Sequence, residues 1–225
     1  DKVSTTLDEL VLAGKLSRVK VGNLDAVYDS ASLRCEMEIE EKLDLLDRLC
    51  PRLEAGDVER FITRIELEED KKYHALQRKA ISDAINSGVM VLTGGPGTGK
   101  TTVIRAVIRV YESMDMRVAL AAPTGRAAKR MSEATQTEAK TIHRLLETDF
   151  TDGKRDNFKK NENDLLEEDV IIIDEASMID MFLMNSLLKA IKPGARLMLI
   201  GDADQLPSVG AGNVLNDIIA SGRYC

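Results

Sequence analysis

Four short apolar runs constrain this chain more than anything else in it: 89–93, 118–122, 170–174 and 197–202, each closing on a small or acidic residue. Stretches of helical character lie between or beside them, over 100–113, 125–135 and 180–191. Apolar runs without polar alternation are the pattern of strands covered on both faces, and their alternation with helices predicts an α/β fold around a parallel sheet. Ligands of such sheets sit outside the carboxyl ends of the strands, so the residues closing each run are the first place to look for function.

The first third of the chain reads differently. Ser4 to Gly14 predicts a short helix ended by glycine. Leu16, Val19 and Val21 lead into Gly22-Asn23 and on to Ala26-Val27-Tyr28, a predicted β-ribbon. Apolar positions 39, 43, 46 and 49 predict an amphipathic helix that Pro51 helps to stop. A helix, a ribbon and a helix form a winged-helix-like pattern over 1–65, open to either a packing role or DNA contact. A further helix is expected over 66–86, with Leu76, Ala80, Ile81, Ala84 and Ile85 on one face. Residues 66–225 are then the sheet domain, and the polar stretch 148–168 is an excursion from it. The first residue is Asp1 rather than Met, and the chain reads as a piece of a longer protein.

The net charge of −7 hides a division. Residues 36–70 hold 13 acids against 5 bases, whereas 117–144 hold 6 bases against 2 acids. The overall sign is therefore a poor guide to partners, and the basic stretch is free to meet a polyanion. Three cysteines without a CxxC pair fit reduced thiols and a cytoplasmic protein, and two histidines offer no metal-ligand spacing. No apolar run reaches the ~18 residues of a membrane span.

Gly94-Gly95-Pro96-Gly97-Thr98-Gly99-Lys100-Thr101 matches GxxxxGK[ST] between a predicted strand and a predicted helix. Glycines let the backbone wrap phosphates with its N–H groups inward, and the helix start adds its positive dipole end. Gly94, Gly95, Gly97, Thr98, Gly99 and Thr102 are the expected cradle. Lys100 is expected on the β- and γ-phosphates and the Thr101 hydroxyl on Mg²⁺. Val170-Ile171-Ile172-Ile173-Asp174-Glu175 is a buried strand ending in two acids, Asp174 suited to the metal and Glu175 to the attacking water. The expected ligand is ATP with Mg²⁺.

Further blocks resemble the superfamily 1 DNA helicases, and most closely their RecD-like branch. Gly201-Asp202-Ala203-Asp204-Gln205-Leu206-Pro207-Ser208 is similar to helicase motif III, and Asp174-Glu175-Ala176-Ser177-Met178 to motif II. Pro123-Thr124-Gly125-Arg126-Ala127-Ala128 resembles motif Ia, and Thr141-Ile142-His143-Arg144 the segment that follows it. The resemblance covers residues 73–220 and implies a RecA-like domain. It also implies Gln205 as a sensor of the γ-phosphate and Gln77 as a reader of adenine. Pro123, Thr124, Arg126, Thr141 and His143 match positions that touch single-stranded DNA, with Lys129, Arg130, Lys140 and Arg144 completing a positive groove. The excursion at 148–168 falls where these enzymes insert a small duplex-parting subdomain; Lys154, Arg155, Lys159, Lys160 and Phe158 suit a basic hairpin with an aromatic near its tip, turned at Asp152-Gly153.

The resemblance also implies a partner: a second RecA-like domain carrying motifs IV to VI and an arginine for the transferring phosphoryl group. Those motifs lie outside the 225 residues. The chain alone is therefore expected to bind nucleotide but to hydrolyse it poorly, within a parent that travels 5′ to 3′ on single-stranded DNA and serves repair or recombination. A nucleotide kinase is a rival that leaves residues 201–210 unexplained. A non-catalytic module whose nucleotide only orders a DNA- or protein-binding surface remains open.

Overall fold

A computed structural model describes residues 2–95, 97–148, 157–205 and 207–225. The chain opens with α1 (Lys2–Leu12), β1 (Leu16–Val21) and β2 (Leu24–Asp29), the two strands pairing antiparallel around Gly22-Asn23. None of α1 is buried, and the ribbon is at most partly covered. The helix expected from Ile39 starts at Ser30 instead: α2 (Ser30–Leu49) is capped by the Asp29 carboxylate, which accepts the Ser32 N–H at 2.9 Å.

The helix expected over 66–86 is two helices, α3 (Ala55–Glu68) and α4 (Ala75–Asn86). Asp70 turns left-handed between them (φ 48°), and Glu66 folds the link back. Its buried carboxylate accepts the Tyr73 N–H at 2.8 Å and pairs with Arg78 at 2.7 Å. Burial alone would raise the Glu66 pKa; the Tyr73 N–H and the Arg78 guanidinium outweigh it and hold the carboxyl below its ordinary value. Periodicity could not show this break, because a buried acid looks like an exposed one in sequence.

The remaining elements alternate: β3 (Val89–Thr93), α5 (Lys100–Ser113), β4 (Val118–Ala122), α6 (Gly125–Thr135), β5 (Ala139–Thr141), α7 (Ile142–Leu145), β6 (Val170–Ile173), α8 (Met181–Ala190), β7 (Arg196–Gly201) and α9 (Val214–Ser221). The five strands form one parallel sheet in the order β3-β7-β6-β4-β5. Its fifth strand, β5, is only three residues long and had no run of its own in the sequence.

Period-two alternation divides the strand residues between two cores. Ile171, Ile173, Leu197 and Leu199 face α2, α8 and α9, while Val170, Ile172, Met198 and Ile200 face α3, α4 and α5. Ile171, Ile172, Leu199 and Ile200 are wholly buried, each contributing about 1.5–3 kcal/mol. The first core also takes Cys35, Ile39, Leu43 and Leu46 from α2, and the second takes Val58, Ile62 and Ile65 from α3. With both faces covered, the strand ends are left as the accessible edge of the sheet. No helix among the described residues is long and apolar enough to cross a membrane.

Candidate nucleotide and nucleic-acid site

Every candidate motif follows the carboxyl end of one of these strands. In sheet order the edge carries the glycine loop after β3, Gln205 after β7, Asp174-Glu175 after β6, Pro123-Thr124 after β4, and His143 after β5.

The loop enters α5 through Gly99, which is left-handed (φ 88°) and whose carbonyl accepts the N–H groups of Thr102 and Val103. Lys100 Nζ donates to the carbonyls of Gly94 and, at 3.0 Å, Gly95, while Thr98 Oγ1 donates to Gly95 at 2.9 Å. The ammonium thus spans the loop mouth, held by neutral carbonyls that a phosphate would outbid. Thr101 is exposed in the first turn of α5.

Gln77 lies in the first turn of α4, its Oε1 accepting the His74 N–H at 3.1 Å. A side chain at Gly99 would place its Cβ 2.8 Å from Gln77 Nε2, so the amide rests directly over the loop. Gly99→Ala is expected to cost about 1–2 kcal/mol from the left-handed backbone alone, and to push Gln77 aside. A lower thermal midpoint together with weaker nucleotide binding checks both.

At the end of β6, the Asp174 N–H extends the ladder to Ala121 at 2.9 Å. Burial, its largest influence, raises the Asp174 carboxyl above its ordinary pKa, opposed by the Glu175 N–H donating to Oδ1 at 2.9 Å. Glu175 is left-handed (φ 54°, ψ 40°), an uncommon state for a residue with a side chain. Its carboxylate leaves the β6 axis and pairs with Arg130 on α6. The turn Ala176–Met178 follows. It packs against the end of β7, where a Cβ on Gly201 would lie 3.3 Å from the Ser177 nitrogen and 2.6 Å from Leu215 Cδ2.

Gln205 is exposed in a turn just past β7, its N–H reaching the Asp202 carbonyl at 3.2 Å. Leu206 lies outside the described residues, and beyond it the loop is anchored to α8. Met181 N–H donates to Ala211 at 2.9 Å, and a Cβ on Gly210 would approach Asp180 Cβ to 2.6 Å. Ser208 Oγ bridges to the Gly210 and Gly212 carbonyls at 3.1 and 3.2 Å. The loop that begins at the phosphate side is thus tied to the helix following Asp174-Glu175.

Thr124 and Thr141 play matching local parts. Each N-caps a helix: Thr124 Oγ1 accepts the Ala127 N–H, and Thr141 Oγ1 the Arg144 N–H, both at 3.2 Å. Pro123 is half-buried beside Thr124, whereas Arg126, Lys140 and Arg144 are exposed. His143 stands edge-on to Phe158, ring centroids 5.7 Å apart.

Phe158 is not a hairpin-tip aromatic. It is 8% exposed and sits at the base of the excursion, bridged to Thr148, because an apolar ring gains more from the core beside Leu146 than from solvent. Lys160 is paired with Asp164 at 2.9 Å. Lys154, Arg155 and the Asp152-Gly153 turn lie outside the described residues. Arg130, expected among the groove cations, is exposed and pairs with Glu175. No sequence pattern signals that contact, which joins residues 45 positions apart.

A parallel sheet with a phosphate-type loop after one strand and an acid pair after a non-adjacent strand defines the P-loop NTPase class. An AAA domain family matches residues 77–211, well over half of the chain. The chain belongs to that family and, within it, to the RecD-like branch of the superfamily 1 helicases. It is 45% identical over 166 residues to the RecBCD enzyme subunit RecD of Mycobacterium tuberculosis, covering 64% of this chain and 28% of that protein. It is 46% identical over 136 residues to the ATP-dependent RecD2 DNA helicase of Deinococcus radiodurans, covering 60% and 18%. The chain thus spans less than a third of the length of these relatives. A solved structure of two coordinating Pif1 helicases at forked duplex DNA aligns at a TM-score of 0.45 and 25% identity, covering 68% of this chain and 38% of that one.

Proposed function

We propose that this chain is the ATP-binding lobe of a DNA helicase. The observation that carries the reading is the order along the sheet edge: phosphate loop, Gln205, acid pair, then the Thr124 and Thr141 helix starts. Nucleotide chemistry sits at one end and a strand-binding surface at the other, with Glu175 and Gln205 between them.

In this reading the backbone of Gly94, Gly95, Gly97, Thr98 and Gly99 cradles the phosphates with the first-turn N–H groups of Thr101 and Thr102, and Lys100 moves from the loop carbonyls onto the β- and γ-phosphates. Thr101 and Asp174 are the residues for Mg²⁺. The described residues contain no cluster of three or more His, Cys, Asp or Glu that could hold a metal. One hydroxyl and one carboxylate, both hard oxygen donors, suit a cation ligated mainly by substrate phosphates and water. When bound, the ion neutralises charge on the β- and γ-oxygens. Glu175 orients and deprotonates the attacking water, and Gln205 senses the γ-phosphate at the root of a loop anchored to α8.

Pro123, Thr124, Arg126, Thr141 and His143 contact single-stranded DNA, with Lys140 and Arg144 following its backbone. Packing of α2 and α3 into the two cores supports an ATPase lobe that begins near residue 30, with α1 and the ribbon as a separate element. The parent protein couples hydrolysis to 5′-to-3′ movement and unwinding in repair or recombination.

The test is binding by the purified chain. A fluorescent ATP analogue with Mg²⁺ and a fluorescein-labelled oligo-dT should each bind saturably. Nucleotide binding without any strand binding would sink the helicase reading in favour of another P-loop enzyme. Gln77→Ala should reduce a preference for ATP over GTP by about tenfold, the worth of one or two hydrogen bonds to the base edge. Competition of the fluorescent analogue by each nucleotide measures it, and an unchanged preference would remove Gln77 from the adenine site.

A further inference from the structure

The ion pair between Arg130 and Glu175 joins the two ends of the proposed site. Arg130 belongs to α6, the helix that Thr124 opens and Arg126 lines, and it lies one turn beyond Arg126 on the exposed face. The opposite face, Ala127, Ala128, Met131 and Thr135, is buried, so α6 is fixed and only its outer side chains can exchange partners. The guanidinium side chain is 60% exposed whereas that of Glu175 is 19% exposed. The outer side of the guanidinium is therefore open to a polyanion arriving along α6, which can compete with the glutamate for it. The adjacent Lys129 is only loosely paired with Glu133, at 3.9 Å. Arg130 Nη2 donates to Glu175 Oε1, so the ion pair ties this carboxylate to α6 and sets which way it points beside Asp174.

Taking the proposed strand-binding and nucleotide roles as given, we propose that Arg130 is a positioning residue with two alternative partners. Without DNA it holds the Glu175 carboxylate away from the attacking water. A backbone phosphate of the strand then takes over the guanidinium, and Glu175 turns to its task. Strand occupancy would in this way license hydrolysis through one side chain.

Equilibrium binding tests the exchange without relying on turnover. Fluorescein-labelled oligo-dT is titrated, without nucleotide, against the wild-type chain, Glu175→Gln, Arg130→Ala and the double variant, with circular dichroism confirming the fold of each. Removing the Glu175 charge frees Arg130. Glu175→Gln should therefore tighten oligo-dT binding by roughly two- to five-fold more in the wild-type background than in the Arg130→Ala background, the scale of a partly exposed ion pair. Arg130→Lys should preserve a coupling of the same sign. An equal effect of Glu175→Gln in both backgrounds overturns the exchange and leaves strand binding standing, since it would report only general charge. Failure of every protein to bind oligo-dT overturns both the exchange and the strand-binding reading beneath it.

Discussion

Lys100→Ala is expected to reduce affinity for Mg-ATP by about 100-fold or more while leaving the fold intact. Among the described residues the ammonium has no fully buried partner to abandon: it donates to the carbonyls of Gly94 and Gly95 at the open end of the loop. Its loss therefore uncovers two acceptors that water can satisfy. On the nucleotide side the loss is larger, because hydrogen bonds to an ionised group contribute about 1.5–3 kcal/mol each, and Lys100 is placed to give two. Titration with the fluorescent analogue measures the change. The thermal midpoint without nucleotide should hold, while the upward shift produced by saturating ATP disappears, since a ligand stabilises only the state it binds. Affinity within threefold of wild type would mean that the nucleotide sits elsewhere.

The residues that make this prediction possible were legible because each belongs to a local pattern. The bounds of β3, α5, β4 and α6 follow from apolar runs and from glycines or a capping threonine at their ends, signals contained within one or two turns. The middle of the sheet could be placed for the same reason. Other features are fixed by distant partners. The break between α3 and α4 depends on Glu66 meeting Arg78 and the Tyr73 N–H. Strand β5 exists because three residues find the free edge of β4. Phe158 carried a misleading signal: among lysines it read as an exposed tip, yet its ring is a core residue. In the site, the places of the loop after β3 and of the acid pair after β6 could be read from their motifs. The contact of Glu175 with Arg130 and the seat of Gln77 over Gly99 could not, because both depend on how separate helices settle on the sheet.

The charges around the acid pair lead to the second large effect. Two cations act on Asp174: Lys100, committed to the phosphate loop, and Arg130, committed to Glu175. Lys100 would meet part of the charge that spreads over the γ-phosphoryl oxygens as the bond to the β-phosphate loosens, whereas Arg130, while it holds Glu175, would meet none of it. An arginine supplied to such a site contributes about 10³–10⁵ in rate. We therefore expect the purified 225-residue chain to bind ATP yet to turn it over about 10³–10⁵ more slowly than a longer form carrying a second RecA-like lobe. Steady-state phosphate release from both forms, with and without oligo-dT, makes the comparison. Rapid, strand-stimulated turnover by the short chain would show that its own residues complete the phosphoryl site, and the search for the missing cation would then turn inward, to Arg126 and to Arg130 once released from Glu175. Slow turnover with tight nucleotide binding would instead show that this sheet edge presents one half of a site whose other half must close on it, which is how hydrolysis can be made to depend on the relative position of two lobes.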